Sequence, residues 1–301
     1  MKTKIWGCIL GAVMFASALQ SCQTQVEIPD GAVYPILFGS TETRAVADLN
    51  ALKTNGFKVY AYFQGNVGGS ASFANNVKHA VVEGLDVWSF ETPEYWIPNT
   101  NYWFKAVYPG GIGNVDNDSS EQTFTISDLD ISKQQDVMVA TATASVAENA
   151  TAPASGSVVN LQFKHLLACV EIKIKSSINV TINKITLNDI ENFCKYSNGW
   201  QSNGNRTDLE ITSDVELTPG ADAQSVTGSI LVVPIMTGYE TITIEASNKT
   251  YSNISLPENT SWKNGRKYTY VAEIKQNDII FNEPSVKVWD SESATGSVII
   301  K

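Results

Sequence analysis

Two histidines, four cysteines and 31 acidic residues are the side chains of this 301-residue sequence with the most capacity for chemistry. His79 and His165 lie far apart, and neither has a second ligand at metal-binding spacing. His165 follows Lys164 within an alternating apolar run, which suits a packed or edge histidine better than a general base. Beyond residue 22 the cysteines are Cys169 and Cys194, and without histidine partners they do not make a zinc site. Two readings of this pair stand: one disulfide in an exported protein, or free thiols, with Cys169 buried in an apolar stretch. Gly65–Ser70 (GNVGGS) follows a strand pattern into a polar loop, so a hairpin explains its glycines better than a phosphate site does. Asp116-Asn117-Asp118 has the start of a calcium loop but neither the following Gly nor the distal Glu. No G-x-S-x-G or H-E-x-x-H is present, and nothing selects one carboxylate pair over another. The residues therefore argue against an enzyme, and they imply no cofactor, no metal and no catalytic residue.

Cys22 differs from the other cysteines. Lys2 and Lys4 begin the chain, Ile5 to Leu19 is an almost unbroken run of apolar and small residues, and Leu19-Gln20-Ser21-Cys22 ends it. A positive start and an apolar run of this length read as an export signal, too short for a comfortable membrane span. Leu three residues before Cys, with a small residue between, resembles the lipobox of bacterial lipoproteins. That resemblance implies removal of residues 1–21 and acylation of Cys22, and several acyl chains hold a protein on a membrane far better than one. Residues 22–35 are polar and aperiodic, as a tether should be.

The charge excludes one class of partner. With 21 basic and 31 acidic residues the formal charge is −10, and loss of Lys2 and Lys4 with the signal makes it more negative. No basic cluster overturns this, so binding to nucleic acid is not expected.

The elements that would carry these residues are strands. β-Branched and aromatic runs recur between clusters of Gly, Asn, Asp, Ser and Pro: Phe57 to Phe63, Tyr102 to Tyr108, Thr123 to Ile126, Val137 to Ala140 and Val158 to Phe163. Further runs are Val170 to Ile174, Ile178 to Leu187, Ile230 to Val233, Thr241 to Ala246, Tyr268 to Ile274 and Val286 to Trp289. Val46 to Leu52 reads as no more than single helical turns. Many short strands with turn chemistry between them predict an all-β protein of sandwiches or barrels. Leu161, Phe163, His165, Leu167 and Cys169 share one face of a strand, whereas Val170, Ile172 and Ile174 share the other. Such a phase change implies a bulge, a strand buried on both faces, or passage between packed units. Ala140 to Ser157, rich in small residues, reads as loop or linker. The expected division is an N-terminal domain over residues 36–159 and a C-terminal domain over 160–301.

An ordered series of motifs runs through the chain. It comprises Pro35-Ile36-Leu37-Phe38, Thr43-Arg44-Ala45, Gly56 to Phe63, Trp96 to Tyr108, Asp136 to Ala140, Leu161 to Ile174 and Trp262 to Tyr270. Behind a lipobox, this series resembles the fimbrillin family, the subunits of type V pili on Gram-negative anaerobes. The resemblance implies two β-sandwich domains in tandem, transthyretin-like in topology, and export to the outer membrane as a lipoprotein. It also implies a place in a cell-surface fimbrium, adhesion as the end, and other pilin subunits as partners. In shaft subunits an arginine-specific protease removes the lipidated piece with the first strand, and a neighbour's strand fills the groove.

On that resemblance, cleavage falls between Arg44 and Ala45, after a candidate first strand at Val33 to Phe38. Arg44 also reads as a plain loop arginine of an uncut anchor, tip or accessory subunit. The apolar Val298, Ile299 and Ile300 read as a donor strand or as a last strand paired within its own sheet, since such an edge left bare invites aggregation. Trp88, Tyr95, Trp96, Tyr102 and Trp103 crowd into sixteen residues, and core packing is their bland explanation. Exposed, they would suit a second kind of protein, a non-polymerising outer-membrane lipoprotein that binds a glycan or host protein.

Overall fold

The computed structural model describes residues 34–40, 46–65, 69–82, 84–112, 114–115, 125–236, 238, 240–257, 261–276 and 278–289. The first part of the chain runs β1 (Leu37–Ser40), α1 (Val46–Asn55), β2 (Phe57–Gly65), β3 (Gly69–Val82), β4 (Leu85–Phe90) and β5 (Thr100–Tyr108). Next come short β6 (Asn114–Val115), β7 (Thr125–Leu129), β8 (Met138–Val146), β9 (Val158–Leu161) and β10 (Lys164–His165). Apart from β6 and β7, these strands form one eight-stranded sheet in the order β10-β8-β5-β2-β3-β4-β1-β9.

This sheet is not flat. Its end strands β9 and β10 are separated by residues 162 and 163 alone, a connection that spans at most about 11 Å. Laid flat, the ends of eight strands would stand roughly 34 Å apart. The sheet must therefore wrap around its own core. Inward side chains come from every long strand, among them Phe38, Val59, Val77, Phe90, Phe104 and Leu161. Phe38 and Phe104 meet edge to face at 5.5 Å although β1 and β5 are four places apart in the strand order.

Part of the expected linker belongs to this sheet. Ala140 to Val146 is the second half of β8, paired with β5 residue by residue from Ala140↔Ala106 to Val146↔Thr100. The physical reason lies in the partners. Ala140, Ala142 and Ala144 face the core opposite Ala106, Phe104 and Tyr102, where large rings leave room for methyl groups only. Thr143 and Ser145 point outward, so the alternation is intact but written in small residues. A second correction concerns Val46 to Leu52, which is not isolated turns but part of a ten-residue helix. Gly56 ends that helix at φ +66°, donating its N–H to Leu52 O at 2.9 Å. A Cβ at residue 56 would come within 2.3 Å of Val77 O, so only glycine turns the chain from α1 into β2.

The second part comprises β11 (Ala168–Ser176), β12 (Val180–Glu191), β13 (Cys194–Ser197), β14 (Trp200–Gln201), β15 (Arg206–Leu217) and β16 (Gln224–Ser225). It continues with β17 (Ile230–Val232), β18 (Thr241–Ala246), β19 (Thr250–Ser255), β20 (Arg266–Ile274), β21 (Ile279–Phe281) and β22 (Ser285–Val288). β11 and β20 lie parallel at the centre of one sheet, with β16 and β17 on β11, and β21 and β22 on β20. The other sheet runs β15-β12-β18-β19. Between them lies a core that includes Val170, Ile172 and Ile174 with Tyr270, Ile185 and Ile244. In β12 the buried positions 182, 185, 187 and 190 shift phase at register breaks after Ile182 and Leu187, so bulges keep the apolar side inward.

The phase change over residues 161–174 is the passage of the chain from the first sheet through β10 into β11. The two parts also share a small sheet, β14-β13-β7-β6, in which Cys194 pairs with Leu129 and Tyr196 with Ile126. A third core fills the junction and includes Tyr60, Val107, Ile131, Leu167, Leu231 and Val233.

Candidate functional site

The segment ending in β1 is held along both sides. Tyr34 O accepts from Trp96 N at 3.1 Å and Ile36 N donates to Glu94 O at 2.8 Å. Further on, Leu37 and Phe38 pair antiparallel with Ser89 and Trp88 of β4. Leu37 to Ser40 pair in parallel with Val158 to Leu161 of β9. Ile36 and Phe38 point into the core and are 1% and 0% exposed. Phe38 alone touches the rings of Phe57, Phe90 and Phe104. One short segment thus fills two pockets, two residues apart, between β4 and β9.

Helix α1, which follows, has its own anchors. Leu52 is buried, and its carbonyl accepts from the Trp88 indole at 3.2 Å. Asn55 Nδ2 donates to the Tyr108 hydroxyl at 3.0 Å. Lys53 pairs with Asp86, which also bonds to His79. Hydrogen bonds from Lys53 and His79 hold the Asp86 carboxyl below its ordinary value. His79 therefore braces a hairpin and packs its ring on Trp88.

Of the residues singled out in the sequence, Cys22, Arg44, Ala45, Val298, Ile299 and Ile300 lie outside the described residues, as does Asp116-Asn117-Asp118. His165 is buried in the junction, with Nδ1 2.8 Å from Asp136 Oδ2 and its ring stacked on Trp289 at 4.0 Å. Cys169 and Cys194 are both buried and free. Burial pushes the Cys169 thiol up and, with Glu191 nearby, raises Cys194 to about 12. Gly65 and Gly69 pair at the end of the β2–β3 hairpin. Among the described residues, no group of three or more His, Cys, Asp or Glu could hold a metal ion.

The aromatic cluster does not form a surface. Trp88, Trp96 and Tyr102 are in the core of the wrapped sheet, where Trp96 packs edge-on against Tyr102 at 4.9 Å. Tyr95 is exposed. Trp103 points away from the core and meets Tyr62, its cross-strand partner, at 5.5 Å. Alternation explains the split, since Tyr102 and Trp103 must face opposite sides of β5.

Two structural centres escaped the sequence reading. Gln134, at φ +47°, reaches across the junction to the backbone of Leu231. Arg206 sits between the buried Glu191 and Glu240, at 3.5 and 3.6 Å. Neither centre has a local sequence signal, because the partners stand far apart along the chain.

Two solved structures share this architecture at TM-scores of 0.50 and 0.54. A cell adhesion protein candidate from Bacteroides ovatus is 14% identical, with a TM-score of 0.54 over 86% of this chain and 98% of that one. A similar candidate from Bacteroides uniformis is 15% identical, with a TM-score of 0.50 over 87% of this chain and 100% of that one. The tip fimbrial protein Mfa3 from Porphyromonas gingivalis is 11% identical, with a TM-score of 0.43 over 86% of this chain and 100% of that one. A search of curated protein sequences gave no match. The fimbrillin-like family model matches residues 43–289. By that match over most of its length, the chain belongs to the fimbrillin-like family.

Proposed function

We propose that this chain is a subunit of a cell-surface fimbria, exported as an outer-membrane lipoprotein through Cys22 and assembled by strand exchange. In this reading cleavage between Arg44 and Ala45 releases the segment carrying β1, and a strand from another subunit takes its place. The observation that carries the reading is the seat of β1. It lies inside the sheet, bonded on both sides, a few residues before Arg44.

Energetics support replacement rather than simple loss. Burying a Phe and an Ile contributes about 1.5–3 kcal/mol each, so vacating both pockets exposes an apolar slot flanked by two unpaired strand edges. A strand with apolar residues at alternate positions would fill it, and Val298 and Ile300 have that spacing. Helix α1 would keep the new N-terminus in place through Leu52, Lys53 and Asn55. Arg206 and Arg266, the other arginines, lie in β15 and β20, where a protease would first have to unpair a strand. Treatment with an arginine-specific protease should remove residues up to Arg44 and give ladders that survive mild detergent, and Arg44→Ala should block both. A monomer that is cut after Arg44 and stays monomeric would sink the proposal.

A second reading, an adhesive binder of glycans, is supported by the outward Tyr62–Trp103 pair alone. Binding to a glycan array that is lost in Trp103→Ala, with no ladders after protease treatment, would favour it.

A further inference from the structure

A cleft of about 240 Å³ opens near the end of β2. Phe63 lines it, so by alternation it lies on the opposite side of the sheet from Tyr62 and Trp103. Phe63 and Tyr102 are cross-strand partners stacked at 5.5 Å, and Phe73 brings its ring to 6.1 Å from Phe63. Tyr102, 1% exposed, is the floor, whereas Tyr95 and Ile97, each 46% exposed, stand at the rim. The buried Trp96 between them turns inward and leaves its two neighbours outside.

Glu94 is the one charged residue of this lining. Its Oε1 accepts from Asn75 Nδ2 at 3.4 Å, and Asn75 shares a face of β3 with Phe73. That bond draws the carboxylate towards the rings. Burial pushes the Tyr102 hydroxyl up, and the negative charge of Glu94 adds to this, so the field of Glu94 reaches the floor.

Aromatic rings and a carboxylate attract the same kind of ligand, a cation on an apolar stem. A sugar would need several directed hydrogen bonds, and the Tyr102 hydroxyl already accepts one from Ile97 N at 2.9 Å. The volume is below the roughly 300–1,000 Å³ of sites that enclose a whole small molecule, which suits one side chain. The formal charge of −10 favours approach of a positively charged partner. We infer that this cleft takes a single lysine side chain of a partner protein, with the ammonium at Glu94 and the stem along Phe63, Phe73 and Ile97. Because Asn75 already holds one carboxylate oxygen, a compact ammonium matches the site better than the fork of an arginine. The cleft adjoins the first strand, since Glu94 O accepts from Ile36 N. The inference nevertheless rests on neither cleavage nor strand exchange.

The test uses the uncut full chain, titrated with Nα-acetyl-lysine amide and with Nα-acetyl-norleucine amide, which has the same stem without the charge. Ligand-observed NMR should give a dissociation constant about tenfold lower for the lysine compound. Glu94→Gln keeps an acceptor for Asn75 and should abolish that preference. Tyr95→Ala should weaken lysine binding about threefold, and because Tyr95 is exposed, this variant serves even if Glu94→Gln fails to fold. Trp103→Ala, on the outer side, should change nothing. Equal affinity for the two amides, a preference that survives Glu94→Gln, or full affinity in Tyr95→Ala would each overturn the inference. So would tighter binding of methyl glucoside or of Nα-acetyl-arginine amide. No protease is added, so failure here is distinct from failure of strand exchange.

Discussion

Gln134 and Leu231, 97 residues apart in sequence, are joined by two hydrogen bonds across the junction. Gln134 Nε2 donates to Leu231 O at 2.9 Å, and Leu231 N donates to Gln134 Oε1 at 2.8 Å. The side-chain amide does what a neighbouring strand would do, at the point where β17 reaches the junction core. Gln134→Ala should lower stability by about 2–3 kcal/mol, because Leu231 is left with an unpaired donor and acceptor in a mostly buried place. Gln134→Glu keeps the acceptor but removes the donor, and should recover no more than part of the loss. Urea denaturation of the three proteins measures this, and Ala indistinguishable from the parent would count against the amide as a clamp.

Gly56 is a backbone requirement of the α1–β2 turn. Gly56→Ala must accommodate both a left-handed conformation and a Cβ 2.3 Å from Val77 O. The conformation alone costs about 1–2 kcal/mol, and the clash adds to it. Gly204 and Gly220 have similar positive φ with nothing within 4 Å, so alanine there should cost the conformational part only. Equal losses at the three positions would show that the close approach to Val77 does not matter.

Arg206 is the counter-charge of two buried acids. It approaches Glu191 and Glu240, and its Nη1 donates to Asp189 O at 2.6 Å. Arg206→Ala leaves two nearly inaccessible carboxylates without their cation and should destabilise by about 3–5 kcal/mol. Adding Glu240→Gln should return part of that loss, since one uncompensated charge is gone. Strict additivity in this cycle would contradict a shared network.

The two buried thiols should be inert in the native protein. Neither Cys169 nor Cys194 should react with a thiol reagent at pH 8, and both should react after unfolding. The folded state keeps Cys194 neutral up to about 12, above its ordinary value of 9.0. Its contribution to stability is therefore complete below about pH 9 and declines as the pH rises towards 12. Over pH 9–11 the unfolding midpoint of the parent should fall further than that of Cys194→Ala. Parallel curves would contradict the burial argument.

Strands written in large apolar residues were legible in the sequence, as β2, β5, β11, β18 and β20 illustrate. The second half of β8 was not, because its inward side chains are alanines chosen by the rings opposite, and those rings belong to another strand. Much of β3 was hidden for a related reason, with Phe73 and Val77 as its larger apolar side chains against the core. β15 carries a clean alternation of Leu209, Ile211, Val215 and Leu217, disguised by Asp208, Glu210, Asp214 and Glu216 on its outer side. The wrapping of the first sheet was out of reach, since it depends on β9 and β10 closing a path of eight strands. At the site, a first strand before Arg44 was readable from local pattern, but the pattern set it at Val33 to Phe38, whereas β1 is Leu37–Ser40 and shares only Leu37 and Phe38 with that range. Its seat between β4 and β9 was not readable, because a parallel partner 121 residues away leaves no local mark.

The central claim is that the segment bearing β1 is removed and replaced in the working protein. Mass spectrometry of the N-terminus, on protein recovered from assembled surface fibres, tests it most directly. The account predicts a chain that begins at Ala45 and lacks residues 22–44. Fibres whose subunits begin at an acylated Cys22 and retain Ile36 and Phe38 would contradict it.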